Sequence, residues 1–263
     1  MSNRIKKTFE NKSKKLVTFT TGGDPDLETS FEILKTIINN NIDIVEIGMP
    51  FSDPMADGPT IQESSTRSIE NGTTIQDIFE LVKKIRTLNN KIPVILMGYY
   101  NSIFNIGVEE FTSKCVQVGV DGLIIVDLQP EEDANLYDKT KENNIDLIRL
   151  ITPTTNKERL KTILNNASGF LYYVTVTGIT GQNSANLKEL ETSINLIRSE
   201  SNLPIVAGFG IKSRKDVENI SAFTDGVVVG SSIVNIIKDN ISDKKNMLEK
   251  IDLFTQDLKK GTG

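Results

Sequence analysis

The chain has no histidine, no tryptophan and one cysteine among its 263 residues. Without histidine there is no Ser-His triad, no imidazole general base and no histidine metal site. Proton chemistry therefore falls to carboxylates, tyrosine or lysine. A lone cysteine rules out an intramolecular disulfide and argues against a cysteine metal centre. Cys115 recurs with Val108, Phe111 and Val118 at helical spacing and reads as core. The missing tryptophan decides nothing. No apolar run reaches the length of a membrane span. There is no basic block, and a net charge of −5 argues against nucleic acid as the main partner. The first residues, MSNRIKKTFENKSKK, are basic but lack an apolar stretch, so they do not read as a secretory signal. A cytoplasmic location is expected, with a plastid stroma as the other option.

What is present is the pattern of a soluble α/β chain, with 38% hydrophobic and 25% charged residues. Eight short apolar runs, at 16–20, 44–48, 94–98, 122–126, 147–151, 170–175, 204–207 and 226–229, alternate with helical patterns. Thr74, Asn156 and Ser213 stand where they can cap helices, and 131–143 reads as one charged helix opened by Pro130. The stretch from Met49 to Gly72 reads as a long loop. Strands buried on both faces and joined by helices make a parallel sheet, and eight units point to closure as a (β/α)8 TIM barrel with extra terminal helices. The doubly wound alternative would carry a glycine fingerprint after its first strand, and Gly22-Gly23-Asp24-Pro25 does not fit one. With no linker composition anywhere, residues 1–263 are expected to form a single TIM-barrel domain, residues 1–14 being an N-terminal helix or arm.

In such a barrel the chemistry sits at the C-terminal ends of the strands, with phosphate near the loops after the seventh and eighth. Gly208-Phe209-Gly210 and Gly230-Ser231-Ser232 occupy those two places, and their backbone amides can approach an anion. Gly181, in the loop after the sixth strand, adds another donor. Acids cluster on the same side: Asp24, Glu46, Asp53, Asp57 and Asp127. Asp24 and Asp53 each precede a proline and also suit turns, and Asp127 suits either a metal or loop amides, although nothing sets a metal-ligand spacing. Glu46 is different. It interrupts a strand buried on both faces, where an ionisable group is costly unless paired or protonated. Arg149, in the middle of the fifth strand, either snorkels outward or pairs with a core acid.

The segment Val45-Glu46-Ile47-Gly48-Met49-Pro50-Phe51-Ser52-Asp53-Pro54-Met55-Ala56-Asp57-Gly58-Pro59-Thr60-Ile61-Gln62 closely resembles the signature of the tryptophan synthase alpha chain family. Phe19 to Pro25, Leu96 to Asn101, Thr177 to Gly181, Gly208 to Ile211 and Gly230-Ser231 agree with it in order and spacing. The resemblance implies retro-aldol cleavage of indole-3-glycerol phosphate to indole and glyceraldehyde 3-phosphate, in the last steps of tryptophan biosynthesis. It implies Glu46 as general acid/base and Asp57 as acceptor for the indole N–H. It implies Phe19, Leu96 and Tyr172 near the indole, with Thr180 orienting Asp57. Phosphate contacts map to Gly181, Gly210, Gly230 and Ser231. The implied partner is a beta chain, in an alpha2beta2 heterotetramer, that carries pyridoxal phosphate and meets Pro50, Asp53 and Asn101. No cofactor or metal is implied for this chain. Val176, Gln129 and Arg149 depart from the family pattern. The alternatives are another phosphosugar-binding barrel, an isomerase or synthase, and a non-catalytic barrel that activates a partner subunit.

Overall fold

The computed structural model describes residues 2–174, 184–208 and 210–263, the side chains of 184–186 excepted. In chain order the elements are α1 (Asn3–Glu10), β1 (Lys15–Thr21), α2 (Leu27–Asn39), β2 (Ile44–Gly48), α3 (Pro59–Glu70), α4 (Ile75–Leu88), β3 (Val94–Gly98), α5 (Tyr100–Ile106), α6 (Val108–Val118) and β4 (Gly122–Ile125). There follow α7 (Ala134–Glu142), β5 (Asp146–Leu147), β6 (Arg149–Ile151), α8 (Lys157–Asn165), β7 (Leu171–Val174), α9 (Ser184–Glu200), β8 (Ile205–Gly208), α10 (Arg214–Ser221), β9 (Gly226–Val229), α11 (Ser231–Asp239) and α12 (Lys244–Lys259).

Among the described residues the strands form one sheet in the order β5-β4-β3-β2-β1-β9-β8-β7-β6, and every pair in it is parallel. The two ends of that row, β5 and β6, are consecutive pieces of chain broken only at Ile148, whose amide still donates to Leu123 O at 2.9 Å. The sheet thus closes on itself as a TIM barrel, and the fifth expected strand accounts for two of the nine segments.

Pleating sorts the side chains. In the register Phe19↔Glu46 and Glu46↔Ile95, residues of one parity fill the barrel: Val17, Phe19, Ile44, Ile95, Ile124 and Val206 pack together. Residues of the other parity, among them Leu16, Val45, Ile47 and Leu96, face the helices in a separate apolar layer. Both faces of each strand are buried, which is why the runs are continuously apolar rather than alternating. Cys115 lies fully buried in the outer layer.

One end of the barrel is stoppered. α1 places Ile5 in the interior cluster and Phe9 against it, with the Phe9 ring centroid 5.8 Å from that of Phe170. The Ser2 hydroxyl donates to Asp121 at 2.6 Å and the Arg4 guanidinium to the same carboxylate at 3.1 Å. The first residues therefore form a helix that seals the N-terminal end of the strands, rather than a free arm.

Two sequence expectations are corrected and one open reading is decided. The stretch read as loop up to Gly72 contains α3, with Pro59 at its first turn where a missing N–H costs nothing. Its buried face is serine (Ser64, Ser65 and Ser68), so no apolar stripe announced it. The helix expected over 131–143 begins only at Ala134, because Asp133 turns inward to pair with Arg149. Arg149 thereby takes the second of its two readings: it donates to Leu128 O at 3.3 Å and forms a buried ion pair with Asp133, which also accepts from Asn166 at 2.9 Å. The helix caps stand as read: Thr74 and Ser213 each form a capping box, with Asp77 and Asp216, and Asn156 accepts from Arg159 N.

Removing one partner of a buried pair strands the other charge. Arg149→Met is expected to lower stability by about 3–5 kcal/mol, measured from urea midpoints. Adding Asp133→Asn should restore most of it, whereas strictly additive losses would show that the two residues act independently.

Candidate active site

The interior parity of β2 points Glu46 into the barrel among Phe19, Ile95 and their neighbours. It is fully buried, and among the described residues neither carboxylate oxygen has a hydrogen-bond partner. A carboxylate in such surroundings loses its hydration and gains nothing in return, so the neutral acid is favoured. Burial, with the nearby charge of Asp57 adding to it, pushes the Glu46 carboxyl from 4.5 up to about 8.

Asp57 arrives on the loop that follows β2, immediately before α3. Its backbone is set by Asp57 N–H donating to Pro54 O at 3.0 Å and by the Gln62 amide donating to Asp57 O at 2.9 Å. Its carboxylate accepts from the Tyr99 hydroxyl at 3.1 Å. That hydroxyl in turn accepts from the Ala56 amide at 3.0 Å, and the Tyr99 ring stacks on Phe51 with centroids 5.0 Å apart. Burial raises the Asp57 carboxyl above its ordinary value, while the Tyr99 bond pulls the other way. Sequence reading missed Tyr99, since a tyrosine just past a strand has no distinguishing spacing.

A pocket opens beside Asp57 and Tyr99, lined also by Phe19, Met49, Ile61, Met97 and Val126. Two inward-facing rings, Phe19 and Tyr172, rest on glycine backbone. A Cβ at Gly48 would lie 2.7 Å from the Phe19 ring, and one at Gly208 would lie 2.9 Å from the Tyr172 hydroxyl. The Tyr172 phenol is raised well above its ordinary value by burial, then by the charges of Glu46 and Asp57. All three groups therefore share one low-dielectric space.

Leu96 is not in it. Glu46 pairs with Ile95, so the inward residues of β3 are Ile95 and Met97, and Leu96 faces the helix layer. The expectation that Leu96 lines the site is corrected: Met97 lines the pocket in its place. A strand apolar on both faces, Val-Ile-Leu-Met-Gly, holds no parity signal, and only the register with β2 supplies it.

On the other side of the mouth, Gly230 precedes α11 and Ser231 begins it. The Ser232 hydroxyl donates to Ile211 O at 2.5 Å, drawing the loop after β8 against this helix start. Gly210 has φ +60° with open space where a side chain would go, and a Cβ at Gly230 would meet Phe19 at 3.2 Å. Gly210, Gly230 and Ser231 thus come together beside the pocket. Thr180, Gly181 and Val176 lie outside the described residues.

The remaining acids have local duties. Asp24 accepts two bonds from Arg67, and Asp127 accepts from Tyr100 N at 2.8 Å at the start of α5. Asp53 and Asn101 are exposed and Pro50 is half-buried. Met55 and Phe104, 86% and 69% exposed, sit on the same two segments, and no sequence signal separated them from core residues.

The family model for the tryptophan synthase alpha chain matches residues 5–263. A relative from Petrotoga mobilis, named tryptophan synthase alpha chain, is 43% identical over 256 residues, 97% of this chain and 98% of its own. Among solved structures, tryptophan synthase subunit alpha from Legionella pneumophila superposes with a TM-score of 0.92 at 34% identity, covering 100% of this chain and 98% of that one. A chain of Mycobacterium tuberculosis tryptophan synthase does so with 0.90 at 27% identity, covering 100% and 99%.

The raised Glu46 carboxyl fixes a pH signature. Glu46 contributes stability as the neutral acid below its ordinary 4.5, and that contribution is lost as pH rises through about 8. Wild type should therefore weaken relative to Glu46→Gln across this window, by roughly 3–5 kcal/mol in all, in denaturant midpoints taken at successive pH values. Parallel curves for the two proteins would show that Glu46 is not held neutral.

Proposed function

The chain belongs to the tryptophan synthase alpha chain family, and on that premise we propose how its own residues carry out the family's reaction. The activity is that of a lyase, cleaving indole-3-glycerol phosphate to indole and glyceraldehyde 3-phosphate in tryptophan biosynthesis. The bond to be broken joins indole C3 to a hydroxyl-bearing carbon. In the proposed sequence, neutral Glu46 delivers its proton to C3, leaving a cationic ring. The Glu46 carboxylate then takes the proton of the adjacent hydroxyl as the C–C bond breaks, its electrons returning to the ring and the oxygen closing to an aldehyde. Glu46 ends as it began, protonated.

The observation that carries this reading is the Glu46 carboxyl in the barrel, without a hydrogen-bond partner among the described residues and pushed up to about 8. At neutral pH such a group is an acid first and, once ionised, a strong base. Asp57 accepts the indole N–H and faces the positive charge as it develops in the ring. It must be ionised to do so, which its bond from Tyr99 favours. Phe19, Tyr172 and Met97 enclose the indole, while Gly181, Gly210, Gly230 and Ser231 hold the phosphate through amides and the dipole of α11. Thr180 would orient Asp57 when its loop covers the ligand.

A beta-chain partner goes with the family. We assign its contact to the face of Pro50, Asp53 and Asn101, supported by the apolar exposure of Met55 and Phe104 beside them, in an alpha2beta2 assembly located in the cytoplasm. Pyridoxal phosphate belongs to the partner in this reading, and the chain, one domain throughout, works without a cofactor. Among the described residues no helix is long and apolar enough to cross a membrane.

Purified protein given indole-3-glycerol phosphate, with and without a beta chain, should release indole. Glu46→Gln and Asp57→Asn should each lower kcat by about two to four orders of magnitude while circular dichroism stays unchanged. The cleavage rate of wild type should fall as pH rises through about 8, where Glu46 loses the proton it donates. Wild-type turnover in both variants would refute the roles of Glu46 and Asp57.

A further inference from the structure

α3 is attached to the barrel in an unusual way. Its buried face is polar, and it is joined to β1 and the turn after it by a ladder of directional bonds. The Ser64 and Thr21 hydroxyls share a hydrogen bond of 2.5 Å. The Ser68 hydroxyl donates to Gly22 O at 2.7 Å. Arg67 Nε and Nη2 each donate at 2.8 Å to the two oxygens of Asp24, and Asn71 donates to Pro25 O. An apolar face would let a helix slide or roll at little cost, since such contacts carry no direction. A forked guanidinium on a carboxylate fixes both height and rotation.

What this ladder positions is the start of α3. Gln62, five residues before Arg67 on the same helix, reaches back to Asp57 O at 2.9 Å, and Ile61 and Ser65 line the same pocket as Asp57. Asp24 is fully buried and the Arg67 side chain is 19% exposed, so water competes little for the pair. We infer that Arg67, clamped by Asp24, is a positioning residue that sets where the Asp57 carboxylate stands relative to Glu46. The clamp acts through α3 and Gln62, and neither Arg67 nor Asp24 touches the substrate. Displacement of Asp57 alters two things together: the fit of its carboxylate to the ring N–H and the charge felt by Glu46. Asp57 and Tyr172 are the titratable groups coupled to Glu46, and Tyr172 stays neutral.

This inference rests on the roles proposed for Glu46 and Asp57, so its test has two independent readouts. Arg67→Lys keeps the charge but loses the fork. Asp24→Asn/Arg67→Met leaves no unpaired buried charge and is the variant that folds if the single change does not. In either, kcat for indole release should drop at least about tenfold with KM within twofold. Carbon-13 NMR of the Glu46 carboxyl should show its midpoint displaced below the wild-type value near 8, since the charge of Asp57 no longer stands close. Folded variants with wild-type kcat and an unmoved Glu46 midpoint would overturn the inference, as would losses of kcat that merely track the unfolded fraction. If wild type itself releases no indole, the functional reading fails, while the Glu46 titration still decides whether Arg67 sets the distance.

Discussion

A carboxyl group buried in an apolar barrel, with no hydrogen-bond partner among the described residues, is the constraint around which the rest of the structure is arranged. Glu46 is placed there by strand parity, since the same pleat that sends Val45 and Ile47 to the helices sends Glu46 inward. A buried acid of this kind is unfavourable to fold, and the surrounding layers offset it: the interior residues on one face of each strand and the helix-packed residues on the other. Tuning the group then needs only one more charge. Asp57, on a loop rather than a strand, provides it and is itself held by bonds to Tyr99, Gln62 and the Pro54 carbonyl.

The two carboxylates are held in different ways. Glu46 sits on a strand whose position is fixed by ladders on both sides. Asp57 depends on the placement of α3, which has a polar rather than an apolar joint to the barrel. The segment from Pro50 to Asp57 also carries the exposed Met55 and reaches Tyr99 through Ala56, so the exterior face and the pocket share a single stretch of chain.

Much of this was legible in the sequence, for physical reasons. Continuous apolar runs with helical patterns between them identify buried parallel strands, and the glycines after the last two strands mark where backbone must come close to something. Glu46 stood out because charge in such a run has few benign explanations. The face of a doubly apolar strand was not legible, which is why Leu96 stood in for Met97. Nor was α3, whose serine face has no hydrophobic period, or the turn at Asp133, whose inward direction depends on Arg149 two elements later. In each case the deciding interaction joins residues far apart in the chain, and local spacing contains no trace of it.

The plug formed by α1 has a consequence for how protons travel. With Ile5 and Phe9 packed against the interior cluster, α1 closes the barrel at the end away from the pocket. A ligand seated in the pocket would cover the end that α1 leaves open. On the role proposed for Glu46, the proton it gives to the ring would then be replaced by the one that the substrate's own hydroxyl gives up.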